Sequence, residues 1–210
     1  MHNEGDHAST VNVETNSFAG TESIVIESGV EIFCRNLESV GGHCIVVNGE
    51  DEAGEVLHRI IAELEASLQR SPKVALSDAP LLSRLAGAIE VGDVATSPCA
   101  DDLFGYDVGV TTAQAAIAES GTLVLESDKE RHRLASLLPP VHIALVAAAD
   151  IRATLGEALM LVRSNGSEMS RAITFITGPS RTADIELTLT IGVHGPKELY
   201  VIVNEGTPKN

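Results

Sequence analysis

An α/β fold with a mostly parallel sheet flanked by helices is the fold class that this sequence predicts. The 210-residue chain is 44% hydrophobic but only 3% aromatic and contains no Trp, so its core must be built from Val, Ile, Leu and Ala. That composition is typical of a parallel sheet covered by helices. Short apolar runs also alternate with amphipathic segments over short connections, which is the pattern of strand–helix–strand units. The length suits one domain.

The first half of the chain contains this alternation after a polar start. Residues 1–21 lack any periodicity, which predicts a mobile tail ahead of a single domain over 22–210. A strand is expected over 23–28, and a helix over 30–40 is expected to end at Gly41 and Gly42. Amphipathic spacing predicts two further helices, and apolar runs predict strands between them: helices over 55–68 and 81–89, strands over 44–48, 74–76 and 92–95.

Residues 107–127 carry the densest set of polar junctions in the chain. Apolar and β-branched residues predict strands at 108–110 and 123–125, and the Ala-rich stretch 113–118 favours a helical turn between them. Thr111 and Thr112 suit the start of such a turn because their hydroxyls can accept hydrogen bonds from free backbone N–H groups. Gly121 then ends the turn and permits close backbone approach.

The second half continues the pattern. A charged helix is expected over 128–138, where a basic cluster serves either as a solvated face or as a site for small anions: Lys129, Arg131, His132 and Arg133. Strands are expected over 141–146, 172–177 and 199–203, with a helix over 155–162. His142 lies inside an apolar run, so we interpret it as a hydrogen-bonded core histidine.

Charge and cysteine content exclude several functions. A net charge of −16 argues against nucleic-acid binding and against docking on an anionic membrane. The longest apolar stretch is too short to span a bilayer and no signal-peptide core is present, so we expect a cytoplasmic protein without membrane insertion. Cys34, Cys44 and Cys99 indicate neither a disulfide framework nor a metal site, and we expect buried thiols.

A second polar motif, GPSRTADIE, covers residues 178–186, and a third, GVHGPKEL, covers 192–199. Arg181 is suited to hold a carboxylate or phosphate through two parallel hydrogen bonds, which Ser180 and Thr182 could supplement. The alternative is a tight turn in which Arg181 pairs with Asp184 or Glu186. His194 lies in a glycine-flanked turn, where an imidazole can exchange protons near neutral pH.

These motifs predict one pocket where the carboxyl ends of the parallel strands converge. Glu119 is a candidate acid or base if burial raises the pKa of its carboxyl, although it could equally cap backbone groups around Gly121. With Glu119 and His194 as the catalytic candidates, the expected ligand-binding residues are Thr111, Thr112, Ser120, Gly121, Thr122, Gly178, Ser180, Arg181, Thr182 and Asp184. No metal site is expected.

Together with GVTTA at 109–113 and IAESGTLVL at 117–125, the two later motifs resemble the signature of the lactate-utilisation (LUD) domain family. The resemblance implies a NagB/RpiA/CoA-transferase-like fold. It also implies an accessory, cluster-free subunit of a bacterial system that oxidises L-lactate to pyruvate with iron–sulfur partner subunits. Three scattered cysteines agree with this, because a chain holding its own cluster needs about four cysteine ligands.

Two other functions stay open on the sequence. One is a stand-alone enzyme acting on a small anionic metabolite, such as a sugar phosphate or a CoA thioester. The other is a structural or regulatory binding module without chemistry. The order of the residues assigns no Ser-His-Asp or Cys-His catalytic set.

Overall fold

The structure is a computed structural model that describes residues 27–127, 133–164, 170–183, 189–191 and 195–206. In chain order the helices and strands are α1 (Gly29–Ser39), β1 (His43–Val47), α2 (Glu50–Leu68), β2 (Lys73–Leu76), α3 (Pro80–Leu85), β3 (Asp93–Thr96), β4 (Val108–Thr112), β5 (Ala115–Ile117), β6 (Thr122–Glu126), β7 (Val141–Ala147), β8 (Ile151–Arg152), α4 (Leu155–Ser164), β9 (Ile173–Ile176), β10 (Arg181–Ala183), β11 (Leu189–Ile191) and β12 (Glu198–Asn204).

A six-stranded sheet with the order β1-β12-β7-β4-β2-β3 forms the centre of the fold. All five neighbouring pairs are parallel. The predicted α/β class with a mostly parallel sheet is therefore confirmed. Parallel strands are buried on both faces, which explains why β7 is a nearly continuous apolar run.

The first two helices begin with different stabilising features. Ser28 and Glu31 form a capping box at the start of α1, whose buried face carries Phe33 and Leu37. Helix α2 begins at Glu50, earlier than predicted, and its first turn contains three acidic residues, which a helix N-terminus stabilises.

A second, four-stranded sheet with the order β8-β5-β6-β9 lies beside the parallel sheet. The predicted helical turn over 113–118 is wrong, because Ala115–Ile117 is the strand β5 of this sheet. Its side chains alternate between two cores: Ala116 faces α1 and the parallel sheet, while Ala115 and Ile117 face α4. This two-sided burial outweighs the helical preference of alanine.

The layers follow from these cores. Helices α2 and α3 cover one face of the parallel sheet. The second sheet and α1 cover the other face, and α4 packs on the outside of the second sheet. Strands β10 and β11 form a separate antiparallel pair.

Part of the predicted charged helix over 128–138 is also wrong. Arg133–Ser136 forms a short 3₁₀ helix, with Ala135 and Ser136 buried. Pro139 follows closely and disfavours a continuing α-helix. Lys129, Arg131 and His132 lie outside the described residues, as do the 1–21 tail and most of the strand expected over 23–28.

The cysteines differ from the expectation of buried thiols. Cys34 of α1 and Cys44 of β1 form a disulfide with their Cα atoms 5.2 Å apart, and Cys99 is exposed. The two partners meet because the chain reverses direction between Ser39 and His43. Among the described residues, no helix is both long and apolar enough to cross a membrane.

Candidate functional site

A cavity of about 250 Å³ lies at the carboxyl ends of β4, β7 and β12, and we call it the sheet-edge cavity. Its lining consists of Glu50, Ala53, Leu81, Arg84, Thr112, Ala113, Leu145, Val146, Ala147, Asp150, Asn204 and Gly206. Strands β2 and β4 are neighbours in the sheet. The next strand of the sheet after β2 is β3, on one side, and the next after β4 is β7, on the other side. Open α/β proteins bind ligands beyond the carboxyl ends of strands at such a switch point.

An ion pair between α2 and α3 forms one wall of this cavity. Arg84 donates from Nε to Glu50 Oε2 at 3.0 Å and from Nη2 to Glu50 Oε1 at 2.7 Å. The hydrogen bonds to Glu50 raise the pKa of the Arg84 guanidinium further above its usual value. Glu50 is only 7% exposed, whereas Arg84 is about half-exposed. A guanidinium has five N–H donors, so the edge formed by Nη1 and the second N–H of Nη2 can hold a second carboxylate.

Asp150, which follows β7, and Asn204, which ends β12, add further polar groups to the cavity. Burial raises the pKa of the Asp150 carboxyl, and Arg152 opposes this shift. Asn204 Oδ1 accepts hydrogen bonds from the backbone N–H groups of Gly49 at 2.8 Å and Gly206 at 2.9 Å. Because both bonds need an acceptor, they fix which end of the Asn204 amide is the oxygen. The NH₂ group then lies at the opposite end, where it can donate hydrogen bonds.

The two predicted threonines of β4 face different surroundings. Thr112 lines the sheet-edge cavity. Thr111 is fully buried, and its Oγ1 lies 2.9 Å from His142 Nε2. The prediction of a hydrogen-bonded core histidine is confirmed, and burial lowers the pKa of His142 to about 3. Thr111 therefore lies within the core instead of facing a ligand.

Three other predicted residues gather elsewhere, around an open depression of about 370 Å³ that we call the hairpin depression. Its lining consists of Ile117, Glu119, Ser120, Thr122, Leu155, Phe175 and Thr177. The hydroxyl of Thr122 lies 2.7 Å from the hydroxyls of both Ser120 and Thr177. The predicted single pocket is thus divided between two places in the fold.

Glu119 is exposed, so the burial on which its catalytic hypothesis depends is not present. Its Oε1 accepts a hydrogen bond from the backbone N–H of Leu155 at 2.9 Å. Leu155 is the first residue of α4, so Glu119 caps that helix from a distant part of the chain. The expected capping role is present, but at α4 and not around Gly121.

The remaining motif residues pack against the C-terminal half of α1. Gly121 has φ of +62°, and a Cβ there would lie 2.3 Å from the backbone nitrogen of Leu37. A Cβ at Gly178 would lie 2.9 Å from Val40 O. Arg181 donates from Nη2 to Val40 O at 2.7 Å, just beyond the end of α1. These contacts hold the motifs against α1.

Ser180 lies beside this region, where its backbone N–H donates to Pro196 O at 2.8 Å. Thr182 lies in β10, and its side chain is not among those described. Asp184 and His194 lie outside the described residues. Within the ranges described, no group of three or more His, Cys, Asp or Glu side chains could hold a metal ion.

Sequence reasoning identified Thr112 but missed four other polar residues of the sheet-edge cavity: Glu50, Arg84, Asp150 and Asn204. Three of them follow or end a strand of the parallel sheet, and this position could have identified them from the sequence as candidate site residues. Arg84 carries no such signal, because it reaches the cavity from the last turn of α3.

The fold and this cavity define an open α/β protein with a polar site at the carboxyl edge of its sheet. A protein-family model described as the LUD domain matches residues 30–203. The chain therefore belongs to the LUD domain family, as its three motifs indicated.

Curated relatives match a shorter part of the chain. Lactate utilization protein C of Bacillus subtilis (strain 168) is 43% identical over 103 residues, which cover 47% of this chain and 43% of the relative. The protein of the same name from Bacillus licheniformis is 40% identical over the same length. The match thus spans less than half of the length of these relatives.

One solved structure shares the fold over most of the chain. A DUF162 family protein from Deinococcus radiodurans superposes with a TM-score of 0.56 at 23% identity. The superposition covers 85% of this chain and 99% of the other. This similarity supports the α/β architecture.

Proposed function

We propose that this chain is a cluster-free subunit of a lactate-utilisation system that oxidises L-lactate to pyruvate together with iron–sulfur partner subunits. The carrying observation is the LUD domain over residues 30–203, in a chain whose relatives at about 40% identity are named lactate utilization protein C. The proposed role in lactate utilisation is based on those names. The assignment of the clusters to partner subunits is based on the need for an electron acceptor and on the cysteine content of this chain.

Oxidation of lactate to pyruvate releases two electrons and two protons, so the reaction needs an electron acceptor. An iron–sulfur cluster is typically held by four cysteine thiolates. This chain has three cysteines, of which Cys34 and Cys44 are joined to each other and Cys99 is exposed. We therefore assign the electron-accepting clusters to the partner subunits.

A cytoplasmic location remains a prediction. The Cys34–Cys44 disulfide weighs against it, because disulfides are rare in cytosolic proteins. Labelling of the free thiols in rapidly acid-quenched cells would measure the redox state of this pair.

The sheet-edge cavity favours a second candidate, a binding module or stand-alone enzyme for a small anionic metabolite. Arg84 supplies a guanidinium that can bind an anion. A volume of about 250 Å³ suits a small metabolite, whereas most of a CoA thioester would lie outside it.

Gene deletion combined with purification tests the proposed function. Cells lacking the gene should fail to grow on L-lactate but grow on pyruvate, and the intact gene should restore growth. Anaerobic purification of the tagged chain from lactate-grown cells should recover iron–sulfur proteins and lactate-dependent dye reduction that the isolated chain lacks. Normal growth of the deletion strain on lactate, or purification of the chain without such partners, would contradict the subunit proposal.

A further inference from the structure

We propose that the sheet-edge cavity is a binding site for a small monocarboxylate, with Arg84 holding the carboxylate and Glu50 positioning Arg84. The proposal rests on the proposed function only for its choice of L-lactate and pyruvate as the first probes. The site itself is argued from the side chains that line the cavity.

The Glu50–Arg84 pair prepares the guanidinium for a planar anion. Two hydrogen bonds to a buried carboxylate fix the guanidinium plane and use the Nε–H and one N–H of Nη2. Arg84 is about half-exposed and lines the cavity, so the edge formed by Nη1 and the second N–H of Nη2 can donate two parallel hydrogen bonds to a ligand carboxylate. The Arg84 side chain therefore loses little conformational entropy when the ligand binds.

The remaining lining suits the other end of a short hydroxy or keto acid. The Asn204 amide has its oxygen engaged by two backbone N–H groups, which turns its NH₂ toward a further acceptor such as a keto or hydroxyl oxygen. The Asp150 carboxylate can accept a hydrogen bond from a ligand hydroxyl. Leu81, Leu145 and Val146 provide apolar wall for a methyl group or short chain.

Charge and volume distinguish a monocarboxylate from a phosphate ester. Glu50 already balances Arg84, and Asp150 adds a negative charge to the same cavity. The Asp150 carboxylate would repel a phosphate dianion about twice as strongly as it repels a monoanion, because the repulsion is proportional to the charge of the ligand. A cavity of about 250 Å³ also matches a compact ligand.

The test is direct binding to the purified full-length chain. Sodium L-lactate, pyruvate, propionate and inorganic phosphate would each be titrated at constant ionic strength, with binding followed by calorimetry and amide NMR shifts. We expect saturable binding of at least one monocarboxylate. Arg84→Met should weaken its binding tenfold or more. Arg84→Lys should weaken it less, because a lysine keeps the positive charge although it lacks the paired N–H donors of the guanidinium.

Arg70→Met is the matched control. Arg70 also holds a carboxylate with two hydrogen bonds, to Asp107 at 2.8 and 2.6 Å, but at the amino ends of the strands. This variant should bind the ligand like the unaltered chain.

Asp150→Asn should tighten binding severalfold because it removes a like charge from the cavity. The double variant Glu50→Gln with Arg84→Met leaves no unpaired buried charge, and it preserves the test if Arg84→Met alone does not fold.

Three results would overturn the proposal: no saturable binding of any of the three monocarboxylates, equal affinity in the Arg84→Met and Arg70→Met variants, or binding of phosphate alone. Its failure is distinguishable from that of the proposed function. Binding that depends on Arg84 in a protein whose deletion leaves growth on lactate intact would refute only the lactate-system subunit. A growth defect without ligand binding would refute only this site.

Discussion

His142 and Thr111 form a polar contact in the middle of the parallel sheet, on the adjacent strands β7 and β4. The imidazole is fully buried, and burial lowers its pKa to about 3, so the ring is neutral in the folded protein near neutral pH. An unfolded histidine has a pKa of about 6.5 and takes up a proton more readily. The unfolded state therefore binds more protons below that pH.

Stability should consequently fall as the pH drops from about 6.5 toward 3. Between pH 7.5 and pH 5, His142 should lower the free energy of unfolding by about 2 kcal/mol. Urea unfolding at the two pH values, compared with the His142→Gln variant, isolates this contribution from the many carboxylates. An equal pH dependence in both proteins would show that the imidazole does not titrate as its burial requires.

Gly121 is required by two independent constraints, its positive φ and its contact with the backbone of α1. Gly121→Ala should lower the free energy of unfolding by about 2–4 kcal/mol, because the rigid helix backbone at Leu37 cannot move away from a Cβ. Chemical denaturation measures this loss. Gly87→Ala is the control, since a Cβ there would meet no atom within 4 Å, and its stability should change little.

At the scale of elements, the hairpin of β5 and β6 organises its neighbours through the turn between its strands. Asn36 donates from Nδ2 to Ala118 O at 2.7 Å, which ties α1 to this turn. Glu119, from the same turn, caps α4. One turn thus joins two helices that lie on opposite faces of the second sheet.

Two substitutions at Glu119 separate capping from catalysis. Glu119→Ala removes the acceptor for Leu155 N–H and should lower the free energy of unfolding by about 1 kcal/mol. Glu119→Gln keeps an acceptor oxygen and should retain most of that stability. Both would be measured by thermal unfolding alongside growth on lactate. Lost growth in a stable Glu119→Gln variant would favour an acid–base role over the capping role.

At the scale of the whole molecule, the chain has 30 acidic and 14 basic residues and a net charge of −16. Such an excess of one sign destabilises the compact state through self-repulsion. Added salt screens this repulsion.

The melting temperature should therefore rise by about 2–5 °C when NaCl is increased from 20 to 200 mM. Glu38→Lys combined with Asp101→Lys changes two negative charges to positive ones, and this variant should show a smaller rise. Scanning calorimetry of both proteins is the measurement. A melting temperature that falls with salt would mean that attractive ion pairs dominate, contrary to the composition.

The parallel sheet and its helices were determined by the sequence alone, because buried strands and amphipathic helices leave local periodic patterns. The core role of His142 was readable for the same reason, since it interrupts an apolar run on β7. Helix α1 and its end at Gly41 and Gly42 likewise depend on a local cap and a local break.

Tertiary structure alone decided the strand conformation of Ala115–Ile117, the capping of α4 by Glu119 and the pairing of Cys34 with Cys44. It also decided which polar residues share the sheet-edge cavity, since Glu50 and Arg84 are 34 residues apart and Asn204 is far from both. Contacts of this kind depend on how layers pack and on which strand ends become neighbours. Neither leaves a periodic trace in the chain, so residue types and spacing could not reveal them.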